Sequence, residues 1–382
     1  MIVFLTNIPT PYRTAFFNEA SDIARAAGLD ISVLYCARTE AHRSWPFEPD
    51  RMRHRFEILS GRALRAGRIT FHFNPQIRAK LRALAPRLII CAGSWNTPTV
   101  IQAVMGGLTR PAPILFWSEG HDDAMRYGSG PVAWLRSAVL RRFDGFVTPN
   151  SRSAAWVAAI AGGQRPNLRL PNLIEEERFR IPMDCRQTQR HRARAALGIA
   201  RDTRLILQVG QLIPRKGVLE LADAFLRSDD RKGAQLAFVG SGDLAPELAA
   251  RAADADGAIR LFGEASVDQV CQYLAAADVF ALNTFIDPNP LSPIEAAFAG
   301  LPLILSARAG NIDEVIVDGI TGQRINDPTA PDAALHWALT ATGEDLHNAG
   351  AAGQEHVTRN FSRQAAVARF IEDAKAMIAA NA

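Results

Sequence analysis

Lysine is almost missing from this 382-residue chain, although arginine and alanine are abundant, a bias that suggests a GC-rich bacterial genome. No apolar run reaches the roughly 18 residues that a membrane-spanning helix needs. The N-terminus, MIVFLTNIPTPYR, lacks the positive region and small-residue cleavage site of a secretory leader, and is expected to be a first buried strand entering a turn. Cysteine is scarce. Cys36, Cys91, Cys185 and Cys271 lie far apart, without CxxC or metal-ligand spacing, so each is expected to be a small buried apolar residue in a reducing cytoplasm. The expected location is therefore cytoplasmic. No strand-like run is followed by G-x-G-x-x-G, which argues against a dinucleotide-dependent dehydrogenase. There is no low-complexity segment.

What is present is an ordinary globular composition, 48% hydrophobic with a net charge of +4, in a chain long enough for two domains. Strand-like runs at Ile2–Leu5, Ile31–Tyr35, Leu88–Cys91, Ile114–Trp117 and Gly145–Val147 occupy the first half. Leu205–Val209, Gln235–Val239, Ile259–Phe262, Val279–Leu282 and Leu303–Leu305 follow in the second. Helical patterns lie between them, such as Phe16–Ala27, Pro75–Leu84, Pro98–Met105 and Ser153–Ala161. This alternation predicts an α/β fold of two parallel sheets, each doubly wound and Rossmann-like. The Arg- and Gln-rich stretch from Glu175 to Arg194 has no buried run. It divides the chain into a first domain at 1–175, a linker at 176–200 and a second domain at 201–360.

Charge is uneven. From Arg51 to Arg87, ten Arg or Lys residues accompany one acid, Glu57, and several alternate with Leu, Ile, Phe and Ala. This stretch fits a solvated helix face with a basic loop, or a surface that docks on anionic lipid headgroups or a lipid diphosphate, at the inner face of the plasma membrane. Nucleic acid has charge in its favour but no recognition motif.

The segment TFIDPNPLSPIEAAFAGLPLI, Thr284 to Ile304, carries the most chemistry. Ser292-Pro293-Ile294-Glu295 has the form of a helix start, with Ser at the N-cap and Pro at the first helical position. The amides ahead of such a helix suit a phosphate. Asp287 and Glu295 flank that site, placed to accept hydrogen bonds from sugar hydroxyls. The same residues also make a capping box, in which Glu295 only bonds the Ser292 backbone. About 80 residues upstream, LILQVGQLIPRKG (Leu205 to Gly217) is a buried strand, a turn and then Lys216 before the helix VLELADAFL. A lysine at the carboxyl end of a strand can neutralise a diphosphate, or can be a solvated turn residue. It is not a P-loop, because no Ser or Thr follows the lysine.

Together these segments resemble the retaining glycosyltransferases of family 4, whose hallmark is E-x7-E near a helix start, ending EA-x-A-x-G-x-P. Here that pattern runs from Asp287 to Pro302. AGNIDEVIVDGITGQRI (Ala309 to Ile325), VGQLIPRKG and PNLIEEERF (Pro171 to Phe179) are similar to three further motifs of that family, in its order. The resemblance implies the GT-B fold, two Rossmann-like domains facing a central cleft, with a last helix at 363–382 returning to the first domain. It implies transfer of a sugar from a nucleotide-diphosphate donor with retention, no metal and no other cofactor, onto a glycan or lipid-linked acceptor of bacterial surface polysaccharide synthesis.

The implied donor-binding residues are Gln211, Arg215, Lys216, Gly240, Leu261, Asp287, Asn289, Leu291, Ser292 and Glu295. Three departures stand out. Gln211 replaces the family's arginine, Asp287 is one methylene shorter than glutamate, and Pro290 and Pro293 bring no N–H. In the first domain, the loop after the first strand offers Tyr12 and Arg13 to an acceptor, with a surface turn as the other reading. Trp95 could stack on an acceptor sugar or belong to the core. Glu119 and His121, in WSEGHDD, are the expected polar pair near the reacting carbon, beside Lys216 as electrostatic stabiliser. The alternatives are a sugar-nucleotide epimerase or a phosphorylase of the same architecture, or a non-catalytic sugar-nucleotide-binding module.

Overall fold

The computed structural model describes residues 1–40, 47–66, 69–105, 112–120 and 128–380. They form two compact units, Met1–Pro171 with Gln364–Ala382, and Asn172–Arg363.

The first unit contains the strands β1 (Ile2–Thr6), β2 (Ile31–Tyr35), β3 (Arg55–Ile58), β4 (Arg62–Ala66), β5 (Ile69–Phe73), β6 (Leu88–Ala92), β7 (Ile114–Trp117), β8 (Gly145–Thr148) and β9 (Asn167–Arg169). Seven make a parallel sheet in the order β3-β2-β1-β6-β7-β8-β9, while β4 and β5 pair antiparallel as a separate hairpin. The strands β1, β2, β6, β7 and β8 are buried along their whole length, as a sheet covered on both faces requires. One face packs an aromatic cluster in which Phe4 meets Phe17 at 5.0 Å and Phe370 of the last helix, Arg363–Ala380, at 6.3 Å. The other face packs Val3, Leu5 and Ile89 against Leu81, Val100, Val139 and Val157 from four successive helices.

The second unit contains β10 (Arg204–Val209), β11 (Ala234–Val239), β12 (Ile259–Gly263), β13 (Val279–Leu282), β14 (Leu303–Ser306) and β15 (Gly322–Ile325), all parallel, in the order β12-β11-β10-β13-β14-β15. Alternation along β10 sends Leu205 and Leu207 into one core and Ile206 into the other.

Three expectations fail. The stretch 176–200 is not an open linker: Met183–Leu197 is a helix of the second unit. It docks through guanidinium groups rather than an apolar stripe, which is why it has no buried run. Arg194 is fully buried. Its Nε donates to the Ala276 carbonyl at 2.8 Å and its Nη2 meets Asp278 Oδ2 at 2.6 Å. Arg186 donates to the Ala275 and Ala277 carbonyls at 2.6 and 2.7 Å, closing the end of helix Val267–Ala276, and burial pushes its guanidinium down to about 10. Second, only Cys36 and Cys91 are buried; Cys185 is exposed and Cys271 half-buried. Third, the basic stretch is not one helix face with a loop but β3, the β4–β5 hairpin and the helix Ile77–Leu84. Among the described residues no helix is long and apolar enough to cross a membrane.

Candidate functional site

In an open parallel sheet, ligands bind beyond the carboxyl ends of the strands where the strand order reverses. In the second unit that point lies between β10 and β13, and the two chemically distinctive loops leave those two strands. The turn Pro214–Lys216 follows β10, and the Arg215 carbonyl accepts both the Phe285 amide and the Thr284 hydroxyl at 2.8 Å. Gly217 holds the turn in the left-handed region at φ 57°, and a Cβ there would collide with the Asn283 carbonyl. With the backbones locked, Lys216 Nζ pairs with Asp287 Oδ2, and both side chains are buried. Lys216 is thus not a solvated turn residue, and its charge is shared with Asp287. From the far side, the Gly310 amide donates to the Asp287 carbonyl at 2.8 Å. Buried Asn311 donates to the Pro290 carbonyl at 2.8 Å, and its Oδ1 has no hydrogen-bond partner among the described residues. Asn311 was missed as a candidate because its partner is a carbonyl 21 residues away.

The helix after this loop is Ser292–Phe298, with Leu291 at the N-cap and no side-chain cap. Ser292 is its first residue and Pro293 its second, so the expected N-cap and the capping box do not form. Glu295 is left half-buried, and burial pushes its carboxyl up to about 7. Asn289 donates its amide to Asp287 Oδ1 at 3.4 Å, so the loop folds back on its own carboxylate.

The remaining predicted donor residues surround the β10 loop. Gln211 and Arg215 are exposed and lie 3.5 Å apart, and Arg215 also donates to the Ile286 carbonyl at 3.1 Å. Gly240, at φ 138°, lets the loop after β11 lie against the Gly210 carbonyl, which a Cβ would strike. The Gly240 amide donates to the Gly263 carbonyl at 2.7 Å, tying the end of β12 to this corner; Leu261 is half-buried on the core beneath.

Residues 189–356 match the family model described as glycosyl transferases group 1. Within that matched stretch lie Gln211, Lys216, Asp287 and Glu295. The lipopolysaccharide 1,2-N-acetylglucosaminetransferase of Salmonella typhimurium is 26% identical over 194 residues, covering 48% of this chain and 51% of its own length. The putative teichuronic acid biosynthesis glycosyltransferase TuaC of Bacillus subtilis is 33% identical over 141 residues, 37% of this chain and 33% of its own length. The chain thus spans about half or less of these curated relatives. The Anabaena protein Alr3699/HepE, solved in complex with UDP, superposes with a TM-score of 0.73 at 14% identity, covering 99% of both chains. That likeness extends over both units and shows the GT-B fold.

The first unit has its own crevice at the reversal between β1 and β6. A cavity of about 330 Å³ there is lined by the ends of β1, β6 and β7, with Arg13, Trp95, Glu119, Glu40, Trp117 and Trp156 among its walls. Arg13 is no surface turn residue. Its Nη1 donates to Thr6 Oγ1 at 3.1 Å and the Ala92 carbonyl at 2.8 Å, its Nη2 lies 3.6 Å from Glu119, and its guanidinium stacks 4.8 Å from the Trp117 ring centre. Trp95 both packs on the core and lines the cavity. Asn7 Oδ1 and Trp117 Nε1 are buried without hydrogen-bond partners among the described residues. Glu40, missed in the sequence, is 2.8 Å from His72 of β5. His121 lies outside the described residues. Tyr12 is in the helix Pro11–Ala26, and its side chain lies outside them too. Among the described residues no cluster of three His, Cys, Asp or Glu side chains could hold a metal ion.

Proposed function

We propose that this protein is a retaining, metal-independent glycosyltransferase of the family 4 type, which moves a sugar from a nucleoside diphosphate to a glycan or lipid-linked acceptor in bacterial surface polysaccharide synthesis. The observation that carries the reading is the buried Lys216–Asp287 pair at the strand-order reversal of the second unit. A cation held there offers charge to a leaving diphosphate without reorganisation when the glycosidic bond breaks. Asp287 and Glu295, on the same loop and helix, accept hydroxyls of the donor sugar. The names of the relatives support the reading: two act in, or are assigned to, cell-surface glycan synthesis, and a structural neighbour binds UDP.

The crevice of the first unit takes the acceptor in this account. Orphaned Asn7 Oδ1 and Trp117 Nε1 offer one acceptor and one donor, and the tryptophan faces suit the apolar face of a sugar ring. With Lys216 charge-stabilising the leaving group and no carboxylate assigned to the far face of the sugar, attack comes from the face that the diphosphate leaves. No metal enters the step, and Lys216 takes the role a divalent cation plays elsewhere.

The test is incubation with UDP-, GDP-, ADP- and dTDP-sugars, with and without bacterial membrane lipid and a chelator, reading nucleoside diphosphate release and the anomeric configuration of the product by NMR. Release with one donor, unaffected by chelator and giving a retained anomer, is the expected result. Tight nucleotide binding without release under any condition would instead identify a non-catalytic binding module.

A further inference from the structure

All the large apolar side chains exposed in the described part of the first unit lie in one layer of it. They are Trp134 at 72% exposure, Leu64 at 62%, Leu135 at 48%, Met105 at 45%, Val132 at 42% and Phe73 at 41%. The helices Ile77–Leu84, Pro98–Val104, Pro131–Leu140 and Ser151–Ala161 bury their inner sides in one core on the same face of the sheet. Right-handed crossovers along β6, β7, β8 and β9 require that arrangement. The β4–β5 hairpin joins the layer: β5 packs on helix Pro98–Val104, where the Thr99 hydroxyl donates to the His72 carbonyl at 2.8 Å. Within the hairpin, Leu64 stands opposite Phe71 and Arg62 opposite Phe73, so one side of it is apolar with an arginine at its end. On the helix Pro131–Leu140, the exposed positions Val132, Trp134 and Leu135 carry no charge.

The charge of the layer is mostly of one sign, with Glu57 of β3 paired to Lys80 of the helix Ile77–Leu84. Between Glu57 and Glu119 the sequence has no acid at all. From Gly128 to Pro171 it has only Asp144, whose Oδ2 is occupied by the Ile114 amide at 2.8 Å. Arg62, Arg78, Arg82, Arg141 and Arg142 are exposed around the apolar side chains. An uncharged Trp–Leu face gains no hydration from charge, and a rim dominated by arginines repels a second copy of itself.

We propose that this layer of the first unit docks on an anionic lipid bilayer, with Trp134, Leu135 and the hairpin's Leu64 entering the headgroup region and the arginines on lipid phosphates. Amphipathic Trp and Leu beside cations are the composition that partitions into a membrane interface. The surface goes beyond the transferase reading and does not rest on it.

The experiment is co-sedimentation of the full chain with vesicles of phosphatidylcholine plus phosphatidylglycerol, against phosphatidylcholine alone. Wild type should bind the anionic vesicles and release most of its bound fraction from neutral ones. Trp134→Glu with Leu135→Glu, and separately Arg141→Glu with Arg142→Glu, should each weaken anionic binding about tenfold. Arg62→Glu with Leu64→Ser tests the hairpin independently, should the helix variant not fold by circular dichroism. No binding by wild type, equal binding to both vesicle types, or variants that bind like wild type would overturn the proposal. So would self-association of wild type, without lipid, that these substitutions abolish.

Discussion

The Lys216–Asp287 pair makes opposite demands on stability and on binding. Removing only Lys216 leaves Asp287 buried beside the Arg215 turn, so Lys216→Ala should lower stability by about 2–3 kcal/mol in chemical denaturation. Lys216→Ala with Asp287→Ala should recover part of that loss while still weakening diphosphate binding. Glu295 carries the pH dependence. Its carboxyl titrates near 4.5 in the unfolded chain and near 7 in the fold, because burial disfavours the ionised form. The stability of the neutral carboxyl is therefore full below about pH 4.5 and lost as pH rises through about 7. Glu295→Gln should match wild type near pH 4 and exceed it by about 2 kcal/mol near pH 8, measured by thermal melts across pH. In catalysis the sign is reversed, because a sugar hydroxyl donates to the ionised form. The KM for donor should fall as pH rises through about 7 in wild type and stay flat in Glu295→Gln. The sequence singled these residues out through two segments about 80 residues apart whose spacing resembles the motifs of one family. That Lys216 meets Asp287 was not legible there, since their contact spans 71 residues and depends on the fit of Gly217 under Asn283.

At the scale of elements, legibility followed burial. The runs that became β1, β2, β6, β7 and β8, and β10, β11, β13 and β14, are central strands with continuous apolar sequence. The edge strands β3 and β9 alternate exposed residues such as Arg55, Glu57, Asn167 and Arg169, and so gave no run to read. The helix Met183–Leu197 was read as a linker for a related reason: its anchors are guanidinium groups. Arg194→Met should destabilise the protein by about 3–5 kcal/mol, since it strips Asp278 of a partner and leaves the Ala276 carbonyl and its neighbours unmatched. Arg201→Met, at an exposed position just beyond, should change stability by less than about 0.5 kcal/mol. Equal melting temperatures for the two variants would refute a structural role for the buried guanidinium.

For the whole molecule, the GT-B fold places a strand-order reversal in each unit, and the distinctive side chains collect at both. The second unit presents a cation with its carboxylate; the first presents tryptophans, orphaned polar atoms and the Arg13–Glu119 pair. The sequence showed the first set through motif spacing. It left the second vague, because Arg13, Trp95 and Glu119 follow three different strands that only the parallel order β1-β6-β7 brings to one cavity. The most direct test of the donor site is calorimetric titration of nucleoside diphosphates into wild type, Lys216→Ala and Arg13→Ala. One charge-assisted contact to phosphate is worth about 1.5–3 kcal/mol, so Lys216→Ala should weaken binding by about 10- to 100-fold while Arg13→Ala leaves it unchanged. Undiminished binding in Lys216→Ala, or loss confined to Arg13→Ala, would contradict the assignment of the donor to the crevice between β10 and β13.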